Sequence, residues 1–470
     1  MNKHFELVID GKGEAGAEAC FDVINPATAE VVAQCPCGST EQLDQAVAAA
    51  KQAFVSWRRS SDAERRALLH RIADDIESRC DELARLIVEE QGKPLALAES
   101  EVMGGVAWTR YNAELDIPVE VVEETSDKRI ELHRKPLGVV ASITPWNWPF
   151  MIAVWHIMPA LRTGNTVVSK PSEFTPLSTL RLVEIINLHV PPGVINIVTG
   201  AAAIGAAITE HSFINKIIFT GSTQTGQHIM RGAAGNLKRL TLELGGNDAG
   251  IVLPDTHPAQ VCEDIFQAAF LNMGQTCAAL KRLYVHESQY QDFCERLTRI
   301  AEQQVVGNGL DEGVNFGPIQ NARQFDKVAK LVEDAKQQGA TVLCGGEAIK
   351  GAGYFYPPTI VANITDGTAL VDEEQFGPVL PIIAYRDVND AVARANASDS
   401  GLGGSVWSSD SDAAKEIASQ LESGVSWVNC HAQIQPNTPF GGCKMSGFGV
   451  EFGLEGLLEY TSHHLLYVNK

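Results

Sequence analysis

The chain contains 470 residues, of which 45% are apolar and 20% charged, a composition typical of a folded globular protein. It excludes a disordered or fibrous chain, and the length predicts roughly three domains or lobes. The formal net charge of −21 disfavours nucleic acid and anionic membranes as partners, because their phosphates would be repelled.

We predict neither a leader peptide nor a membrane-spanning segment. The first residues lack the apolar run of a secretory signal and the arginine-rich character of a transit peptide. No stretch approaches the roughly eighteen uninterrupted apolar residues of a membrane span. Ten cysteines are too sparse for a disulfide framework, so we expect reduced thiols and a cytoplasmic protein. Cys35 and Cys37 form the one close pair, and without a second pair at zinc-site spacing we predict no metal.

The first part of the chain is predicted to be helical. A helix is expected over Ser39–Trp57, where Ser39 and Gln42 have the spacing of a capping box. A longer helix is expected over Ser61–Gln91, and it should end at Gly92-Lys93-Pro94 because glycine and proline terminate helices.

From about Val139 the pattern changes to short apolar runs that alternate with helical segments. The runs are Val139–Ile143, Thr166–Ser169, Val194–Val198, Lys216–Phe219 and Arg239–Leu244, and helices are expected to begin near Phe150, Pro176, Ala203 and Thr223. Strands with few polar interruptions indicate a mostly parallel sheet that is buried on both faces. A second alternating set, from Gly250 to about Val428, predicts a second α/β lobe beyond a hinge near Gly245-Gly246. The tail, Tyr460 to Val468, is predicted to be a strand that needs a partner from elsewhere.

Two glycine-rich segments are predicted not to bind phosphate. Gly11–Gly16 matches G-x-G-x-x-G, but the chain continues into a second strand at Phe21–Pro26 instead of a sustained helix. We therefore expect a hairpin turn there. Gly447-x-Gly449, with Gly453, lacks a preceding strand and is predicted to be a loop.

Phe219–Gly226 is better placed, because it lies between a predicted strand and a predicted helix. Its spacing resembles the start of a P-loop, yet Gln227 and His228 stand where lysine and serine or threonine are needed, which argues against a nucleotide triphosphatase. Two interpretations remain open: a helix N-terminus that meets a pyrophosphate, or a capped turn without a ligand.

Three residues have the chemistry of a covalent active site. Cys277 follows Gly274 and Gln275, which permit close backbone approach and an exposed thiol, although most cysteines only pack in the core. Glu243 ends a buried strand, where a carboxylate is unusual without a task. Asn147 lies in a strand-to-helix turn and brings a side-chain amide to the end of a strand.

Seven segments together resemble the successive signatures of NAD(P)-dependent aldehyde dehydrogenases of the hydrolytic, non-acylating type. They follow the family's order and spacing, and with their flanks they cover essentially the whole chain. They are Pro145–Pro149, Lys170–Glu173, Phe219–Gly226, Leu242–Gly246, Gly274–Cys277, Glu374–Pro378 and Pro439–Gly442.

The resemblance implies an α/β fold with three parts. A Rossmann-like NAD-binding domain would comprise residues 1–115 and 134–245, and a second α/β catalytic domain would comprise residues 246–445. A small β oligomerisation element would combine residues 116–133 and 455–470. Because an exposed strand edge needs covering, we expect a homodimer or homotetramer.

The resemblance also implies a covalent mechanism. The Cys277 thiolate would attack the aldehyde, and the Asn147 amide and the Cys277 backbone N–H would hold the oxyanion. The thiohemiacetal would pass hydride to the nicotinamide and leave a thioester. Glu243 would act as the general base for the water that hydrolyses this thioester.

The cofactor contacts carry over in the same way. Lys170 and Glu173 would bind the adenosine ribose, Trp146, Gly221 and Ser222 would lie along the pyrophosphate, and Glu374 would hold the nicotinamide ribose beside Phe376. A carboxylate at Glu173 favours NAD, with NADP as the alternative, since it repels a 2′-phosphate. Taken singly, each residue has another interpretation: Lys170 as a surface lysine, Glu374 as a loop anion, Phe376 as core.

The matching segments also suggest a substrate. A tunnel would be lined by Trp148, Met151, Trp155, Thr276 and Phe440. Aromatic and sulfur-containing walls suit an apolar or aromatic small aldehyde, and no arginine in these segments is placed to pair with a carboxylate.

Three other function classes remain as alternatives. A CoA-acylating relative is disfavoured by Glu243, because a thiol needs no base to attack a thioester. A non-catalytic protein on the same scaffold would be expected to lack Cys277, Glu243 or Asn147, and all are present. A cysteine hydrolase without cofactor would leave the nucleotide-binding half unexplained.

Overall fold

The computed structural model describes residues 4–470, which form two large sheets flanked by helices, one three-stranded sheet and two two-stranded sheets. The strands are β1 (Leu7–Ile9), β2 (Lys12–Glu14), β3 (Glu18–Ile24), β4 (Val31–Cys37), β5 (Glu120–Glu124), β6 (Lys128–Pro136), β7 (Val139–Ile143), β8 (Thr166–Lys170), β9 (Ile195–Ile197), β10 (Ile214–Thr220), β11 (Arg239–Glu243), β12 (Asp248–Val252), β13 (Leu280–His286), β14 (Thr341–Cys344), β15 (Thr359–Ala362), β16 (Val379–Tyr385), β17 (Ser400–Gly401), β18 (Gly403–Trp407), β19 (Val425–Val428), β20 (Cys443–Lys444), β21 (Gly447–Phe448) and β22 (Thr461–Asn469). The helices are α1 (Thr40–Trp57), α2 (Asp62–Ser78), α3 (Cys80–Gln91), α4 (Leu95–Glu114), α5 (Pro149–Arg162), α6 (Leu177–Asn187), α7 (Ala202–Glu210), α8 (Thr223–Ala233), α9 (Pro258–Phe270), α10 (Tyr290–Glu302), α11 (Ala322–Gln337), α12 (Ala369–Asp372), α13 (Val388–Asn396), α14 (Ser411–Ala418) and α15 (Gly453–Leu458).

The N-terminal helices confirm one prediction and correct another. Ser39 and Gln42 form the expected capping box at the start of α1. The predicted single helix over Ser61–Gln91 is wrong, because the chain leaves helical geometry at Arg79 (φ −111°, ψ 18°) and divides into α2 and α3. The buried residues Ile76 and Leu83 are seven positions apart, so the helical apolar spacing continues across the break and hides it. Gly92 ends α3 at φ 96°, as expected.

The first large sheet has the strand order β2-β1-β9-β8-β7-β10-β11-β21, and its five central strands are parallel. All five predicted apolar runs are strands of this sheet. The register pairs Ile143 with Lys170 and Thr220 with Glu243, so these strands end at one common edge. Separate apolar clusters cover the two faces, which explains why the strands carry few polar residues.

The glycine-rich segments have different outcomes. β1 and β2 form a hairpin around Asp10 and Gly11, both at positive φ, which confirms the predicted turn. The predicted loop at Gly447 is wrong in part, because β21 pairs antiparallel with β11. A Cβ on Gly447 would lie 1.8 Å from the Leu242 carbonyl oxygen, so only glycine permits this approach. A two-residue strand has no alternation that a sequence could reveal.

The second large sheet begins at Asp248, directly after the Gly245-Gly246 link that follows β11. Its order is β14-β15-β16-β13-β12-β18-β19, and all neighbours are parallel except β14 and β15. The expected second α/β set, from about Gly250 to Val428, is confirmed, and the overall fold class is α/β as predicted.

The C-terminal strand β22 finds its partner within the chain. It pairs over its full length with β6, which in turn pairs with β5, and the resulting sheet has the order β22-β6-β5. The other edge of β22 is unpaired within the described chain. Among residues 4–470, no helix combines the length and the apolar character needed to cross a membrane.

Candidate active site

The three predicted catalytic residues lie where the two large sheets meet. Glu243 ends β11, Asn147 lies between β7 and α5, and Cys277 lies between α9 and β13. The Asn147 side-chain nitrogen Nδ2 donates a hydrogen bond to the Gln275 carbonyl oxygen at 2.9 Å, which joins the two loops directly. Parallel strands bring their carboxyl ends to one edge, which places Asn147 and Glu243 at the same edge of the first sheet. Cys277 precedes β13 of the second sheet and is joined to this edge through the Gln275 contact.

The loop before Cys277 has an unusual backbone. Asn272, Met273 and Gly274 adopt positive φ angles of 53°, 59° and 65°. A Cβ on Gly274 would lie 2.4 Å from the Gly377 carbonyl oxygen, so the loop needs glycine there. Left-handed non-glycine residues are strained and persist only where the surroundings hold them, a pattern common at functional sites.

The Cys277 thiol is half-buried and is therefore not sealed inside the core. Burial raises its pKa well above the ordinary range, and the nearby carboxylates of Glu243, Asp248 and Glu374 raise it further. In the protein alone the sulfur is consequently a protonated thiol at neutral pH. Attack on an aldehyde requires a base that removes this proton.

Glu243 is buried, and neither of its carboxylate oxygens makes a hydrogen bond of full geometry in the described part of the chain, although the Gly442 backbone N–H lies close enough to lower its pKa. Burial raises its pKa well above the ordinary value, and the charge of Glu451 adds to this effect. Buried polar atoms without partners are rare and call for a functional explanation. Here the unpaired oxygens are available to accept a proton from the thiol or from a water.

Two functional candidates near Glu243 were not predicted from the sequence. Glu451 is buried, and its Oε1 lies 3.3 Å from Nε2 of the fully buried His156. His156 also lies within 3.2 Å of the Ser142 hydroxyl and 3.1 Å of the Thr220 hydroxyl. Glu451 belongs to the glycine-rich segment interpreted as a plain loop, and no sequence pattern singles it out.

The residues predicted to bind adenosine and pyrophosphate lie along the same sheet edge. Lys170 is buried, not a surface lysine; its Nζ donates to the Pro171 carbonyl at 3.0 Å, and burial lowers its pKa. Glu173 is half-buried and its charge acts on Lys170. Ser222 caps α8 by accepting from the Thr225 N–H at 3.3 Å, while Gly221 N–H donates to the Glu243 carbonyl at 3.0 Å.

The residues predicted to bind the nicotinamide half lie beside the hinge. Trp146 and Phe376 meet edge to face at 5.3 Å between ring centres. The Glu374 carboxylate accepts a hydrogen bond from Gly246 N–H at 3.1 Å, and a Cβ on Gly245 would lie 2.5 Å from its second oxygen. Burial raises the pKa of Glu374 to about 7, although Lys281 and Lys327 oppose the rise.

These residues fit a dinucleotide. Glu173 and Glu374 offer half-buried carboxylates to ribose hydroxyls, and the N-terminus of the 11-residue α8 suits a pyrophosphate. The Trp146–Phe376 pair offers aromatic surface next to the Glu374 carboxylate.

Four of the five predicted tunnel residues fall into two contact groups. The fifth, Met151, is half-buried near the start of α5. Trp148 donates its indole N–H to the Thr276 hydroxyl at 3.1 Å, next to the nucleophile. Trp155 and Phe440 are joined through Phe452, whose ring centre lies 4.7 Å and 6.0 Å from theirs. Phe452 was not predicted. It follows Glu451 in the same glycine-rich segment and adopts a positive φ of 64°.

The segment from His431 to Thr438 was expected to border the tunnel, and its polar sequence gave no further indication. His431 points inward: its Nε2 lies 3.1 Å from the Ala278 carbonyl oxygen and 3.5 Å from Asp248 Oδ2. It therefore contacts the backbone directly after the nucleophile.

Comparison with known proteins identifies the family. The model of the aldehyde dehydrogenase family matches residues 13–465. The phenylacetaldehyde dehydrogenase of Pseudomonas fluorescens is 40% identical, over 98% of this chain and 95% of the relative. Aldehyde dehydrogenase 1A1 of Mesocricetus auratus is 41% identical, over 94% of this chain and 90% of the relative. The chain belongs to the aldehyde dehydrogenase family.

Solved structures agree in fold and cofactor. The betaine aldehyde dehydrogenase of Staphylococcus aureus, solved with NAD+, has a TM-score of 0.96 and 33% identity, over 100% of this chain and 95% of that one. A variant of the aldehyde dehydrogenase from Bacillus cereus has a TM-score of 0.97 and 36% identity, over 100% and 97%. The protein is thus an NAD-dependent oxidoreductase that acts on aldehydes, as the resemblance implied.

Proposed function

We propose that the protein oxidises an apolar or aromatic aldehyde to its acid through a covalent bond to Cys277, with Glu243 as the base and Asn147 as the oxyanion donor. The observation that carries this proposal is the buried Glu243 carboxylate, unpaired within the described chain, whose charge acts on the half-buried Cys277 thiol.

In the first step the Cys277 thiol gives its proton to Glu243. The sulfur then forms a bond to the aldehyde carbon, and the carbonyl electrons move to oxygen to give a thiohemiacetal anion. Burial raises the pKa of both groups, so in the protein alone the neutral thiol is favoured, and an unprotonated Glu243 is a stronger base than an ordinary glutamate.

Asn147 and the Cys277 backbone N–H stabilise the oxyanion. A primary amide has two N–H donors, and the Gln275 carbonyl occupies one on Asn147. The second is available to the substrate oxygen. Removing such a donor in a preorganised site costs roughly 3–4 kcal/mol of transition-state stabilisation.

The cofactor residues would be Lys170, Glu173, Trp146, Gly221, Ser222, Glu374 and Phe376. Bound beside Cys277, the nicotinamide supplies the acceptor for the hydride that leaves the thiohemiacetal carbon. Glu374 is tied to the hinge backbone at Gly246, which fixes its carboxylate for a ribose hydroxyl.

Before the last step Glu243 releases the proton it took from Cys277 to solvent. Glu243 then takes a proton from a water molecule, whose oxygen attacks the thioester carbon. The C–S bond breaks, the carboxylic acid is released, and the Cys277 thiolate takes the proton back from Glu243 to regenerate the thiol. Substitution of Glu243 by glutamine tests this role: in alkaline buffer, which can supply the first deprotonation, one equivalent of NADH should form and further turnover should be strongly slowed. Steady turnover in that variant would remove Glu243 as the base.

The substrate class rests on the aromatic residues near the nucleophile. Trp148, Trp155, Phe440 and the additional Phe452 provide apolar walls, and the relative in Pseudomonas fluorescens is a phenylacetaldehyde dehydrogenase. A panel of aliphatic, aromatic and carboxylated aldehydes with NAD and NADP, followed by absorbance, tests the class. We expect the highest kcat/KM with an aromatic aldehyde and NAD. Adding CoA should yield no acyl-CoA product, whereas its appearance would favour the acylating alternative.

The small sheet supports an oligomer. β22 is an edge strand of nine residues, and its side chains Leu465, Leu466, Tyr467 and Val468 are exposed. Such an edge is a liability unless covered, which favours a homodimer or homotetramer built from residues 116–133 and 455–470. Deletion of residues 460–470 should abolish assembly in light-scattering measurements, and an intact oligomer would count against this role. We also propose that the NAD-binding domain ends at residue 245 and the catalytic domain at residue 445. A cytoplasmic location is likewise part of the proposal.

A further inference from the structure

A buried ion pair lies behind the turn that carries Asn147. Lys93 Nζ lies 2.5 Å from Glu101 Oε2, and both side chains are fully buried. Lys93 follows the end of α3, and Glu101 belongs to α4, so neither residue comes from a segment with a recognisable catalytic motif. Burying two charges costs several kcal/mol per ion, and hydrophobic residues often serve equally well for stability alone.

The pair contacts the Asn147 turn from two sides. Lys93 Nζ donates to the Asn147 carbonyl oxygen at 3.0 Å and lies 3.6 Å from the centre of the Trp148 ring. Glu101 Oε1 accepts hydrogen bonds from the backbone N–H groups of Phe150 and Met151 at 3.0 and 3.1 Å. Helix α5 has no side-chain cap from its own N-cap residue, Trp148. Glu101, which belongs to α4, therefore caps the N-terminus of α5. Lys93 binds the backbone of Asn147, just before this helix.

A second contact ties this turn to the nucleophile loop. The Asn147 carbonyl oxygen also accepts from Asn272 Nδ2 at 2.9 Å, and Asn147 Nδ2 donates to the Gln275 carbonyl. The backbone of Asn147 is thus fixed by Lys93 and Asn272, and its side chain by Gln275. The second hydrogen on Nδ2 of the Asn147 side chain has no partner among these contacts.

We propose that Lys93 and Glu101 are positioning residues for the oxidation reaction, and that they aim the free Asn147 N–H at the oxyanion of the Cys277 adduct. The inference rests on the proposed function, because it requires Asn147 to be the oxyanion donor. It assigns catalytic geometry to a charged pair that touches neither substrate nor cofactor. Displacing a catalytic group by about 1 Å can reduce a rate about 100-fold.

The test is a single-turnover measurement on the full-length enzyme with NAD, in which enzyme is in excess over aldehyde. The variants are Lys93→Met with Glu101→Gln, which removes both buried charges together, and Glu101→Gln alone. We expect the rate constant of NADH formation to fall about 100-fold in the double variant, with KM and NAD affinity changed less than threefold. Alkylation of Cys277 by iodoacetamide needs no oxyanion donor and should remain within twofold of wild type.

A purely structural role predicts a different result. A destabilised enzyme would show a lower melting temperature, with an unchanged rate constant of NADH formation at saturating enzyme concentration. A matched control is Arg162→Met with Asp62→Asn, a second pair with a buried basic residue, whose Nη1 and Oδ1 lie 2.6 Å apart at the opposite end of α5 from Asn147. That control should lower the melting temperature without slowing single turnover. An unchanged rate constant in the Lys93/Glu101 variant would overturn the proposal.

Asn147→Ala separates this inference from the proposed function. If Asn147→Ala forms NADH at the wild-type rate, the oxyanion role itself fails. If it is slow while the Lys93/Glu101 variant is fast, the positioning role alone fails. If both are slow, a triple variant that combines Lys93→Met, Glu101→Gln and Asn147→Ala decides. Its rate constant of NADH formation should fall no further than that of Asn147→Ala alone, because the effects of groups that act through one another are not additive. Full additivity of the two losses would contradict positioning through Asn147.

Discussion

Two buried parts of the molecule treat their carboxylates in opposite ways. In the N-terminal helical part, both carboxylate oxygens of Glu90 accept hydrogen bonds from the backbone N–H groups of Leu177 and Ser178, at 2.6 and 3.0 Å. Glu101 in the same part has both oxygens bonded as well. At the end of β11, Glu243 is equally buried but makes no hydrogen bond of full geometry through either oxygen within residues 4–470.

The difference separates carboxylates that organise backbone from the one that we propose as the base. A buried carboxylate with two backbone donors caps a helix and stabilises its first turn. Burial without such donors raises the pKa of Glu243 and makes it a stronger base than an ordinary glutamate. The predictions below test whether the two kinds respond differently when the same change, glutamate to glutamine, is made in each.

The largest effect is expected at the nucleophile that Glu243 serves. Cys277→Ser should reduce NADH formation to the limit of detection, because a serine hydroxyl is far harder to deprotonate than a thiol. NAD binding, measured by calorimetry, should remain. Cys344→Ser is the matched control: Cys344 is also half-buried, and its Sγ lies 3.9 Å from the Pro358 carbonyl in the second sheet. Loss of activity in the control, or its retention in Cys277→Ser, would contradict the assignment.

Glu243→Gln should have the next largest effect. The steady-state kcat should fall by about 10²–10⁴, the range for removal of a general base. A burst close to one equivalent of NADH should remain, since alkaline buffer can supply the first deprotonation. Stopped-flow absorbance measures both phases. Absence of any burst would mean that Glu243 is needed for thiol activation even in alkaline buffer.

The pH dependence sharpens the comparison. A general base works only when it is unprotonated. Because the pKa of Glu243 is raised, the rising limb of the plot of kcat against pH should lie at higher pH than for an ordinary glutamate, whose pKa is about 4.3. The Glu451 charge raises the pKa of Glu243, and Glu451→Gln should therefore move this limb to lower pH. The midpoint of kcat against pH, in wild type and variant, measures the shift. A limb that stays in place would show that Glu451 does not act on the base.

The sequence predicted the parallel strands because they follow a local pattern, and its motifs singled out three candidate catalytic residues, whose roles stay predictions. It could not predict the break at Arg79, since the helical spacing of apolar residues continues across it. It also missed Glu451, Lys93 and Glu101. Their importance arises from contacts between residues far apart in sequence, such as the 54 positions between Lys93 and Asn147. A buried charge looks like a surface charge until the tertiary structure is known.

Glu90→Gln should give the smallest effect and no loss of activity, because Glu90 contacts only the start of α6 and not the site. Burial raises the folded-state pKa of Glu90 to about 8, above its unfolded value near 4.3. The folded state therefore holds this proton more tightly, and the resulting stabilisation is full below about pH 4 and is lost as pH rises through about 8. Glutamine does not titrate, so the melting temperature of wild type minus that of Glu90→Gln should decrease over this window, by roughly 2–4 °C for each kcal/mol. Melting curves at several pH values measure the difference, with kcat expected within twofold of wild type at each pH. A constant difference would mean that Glu90 keeps an ordinary pKa despite its burial, because its hydrogen bonds from Leu177 and Ser178 offset the cost of burying the charge.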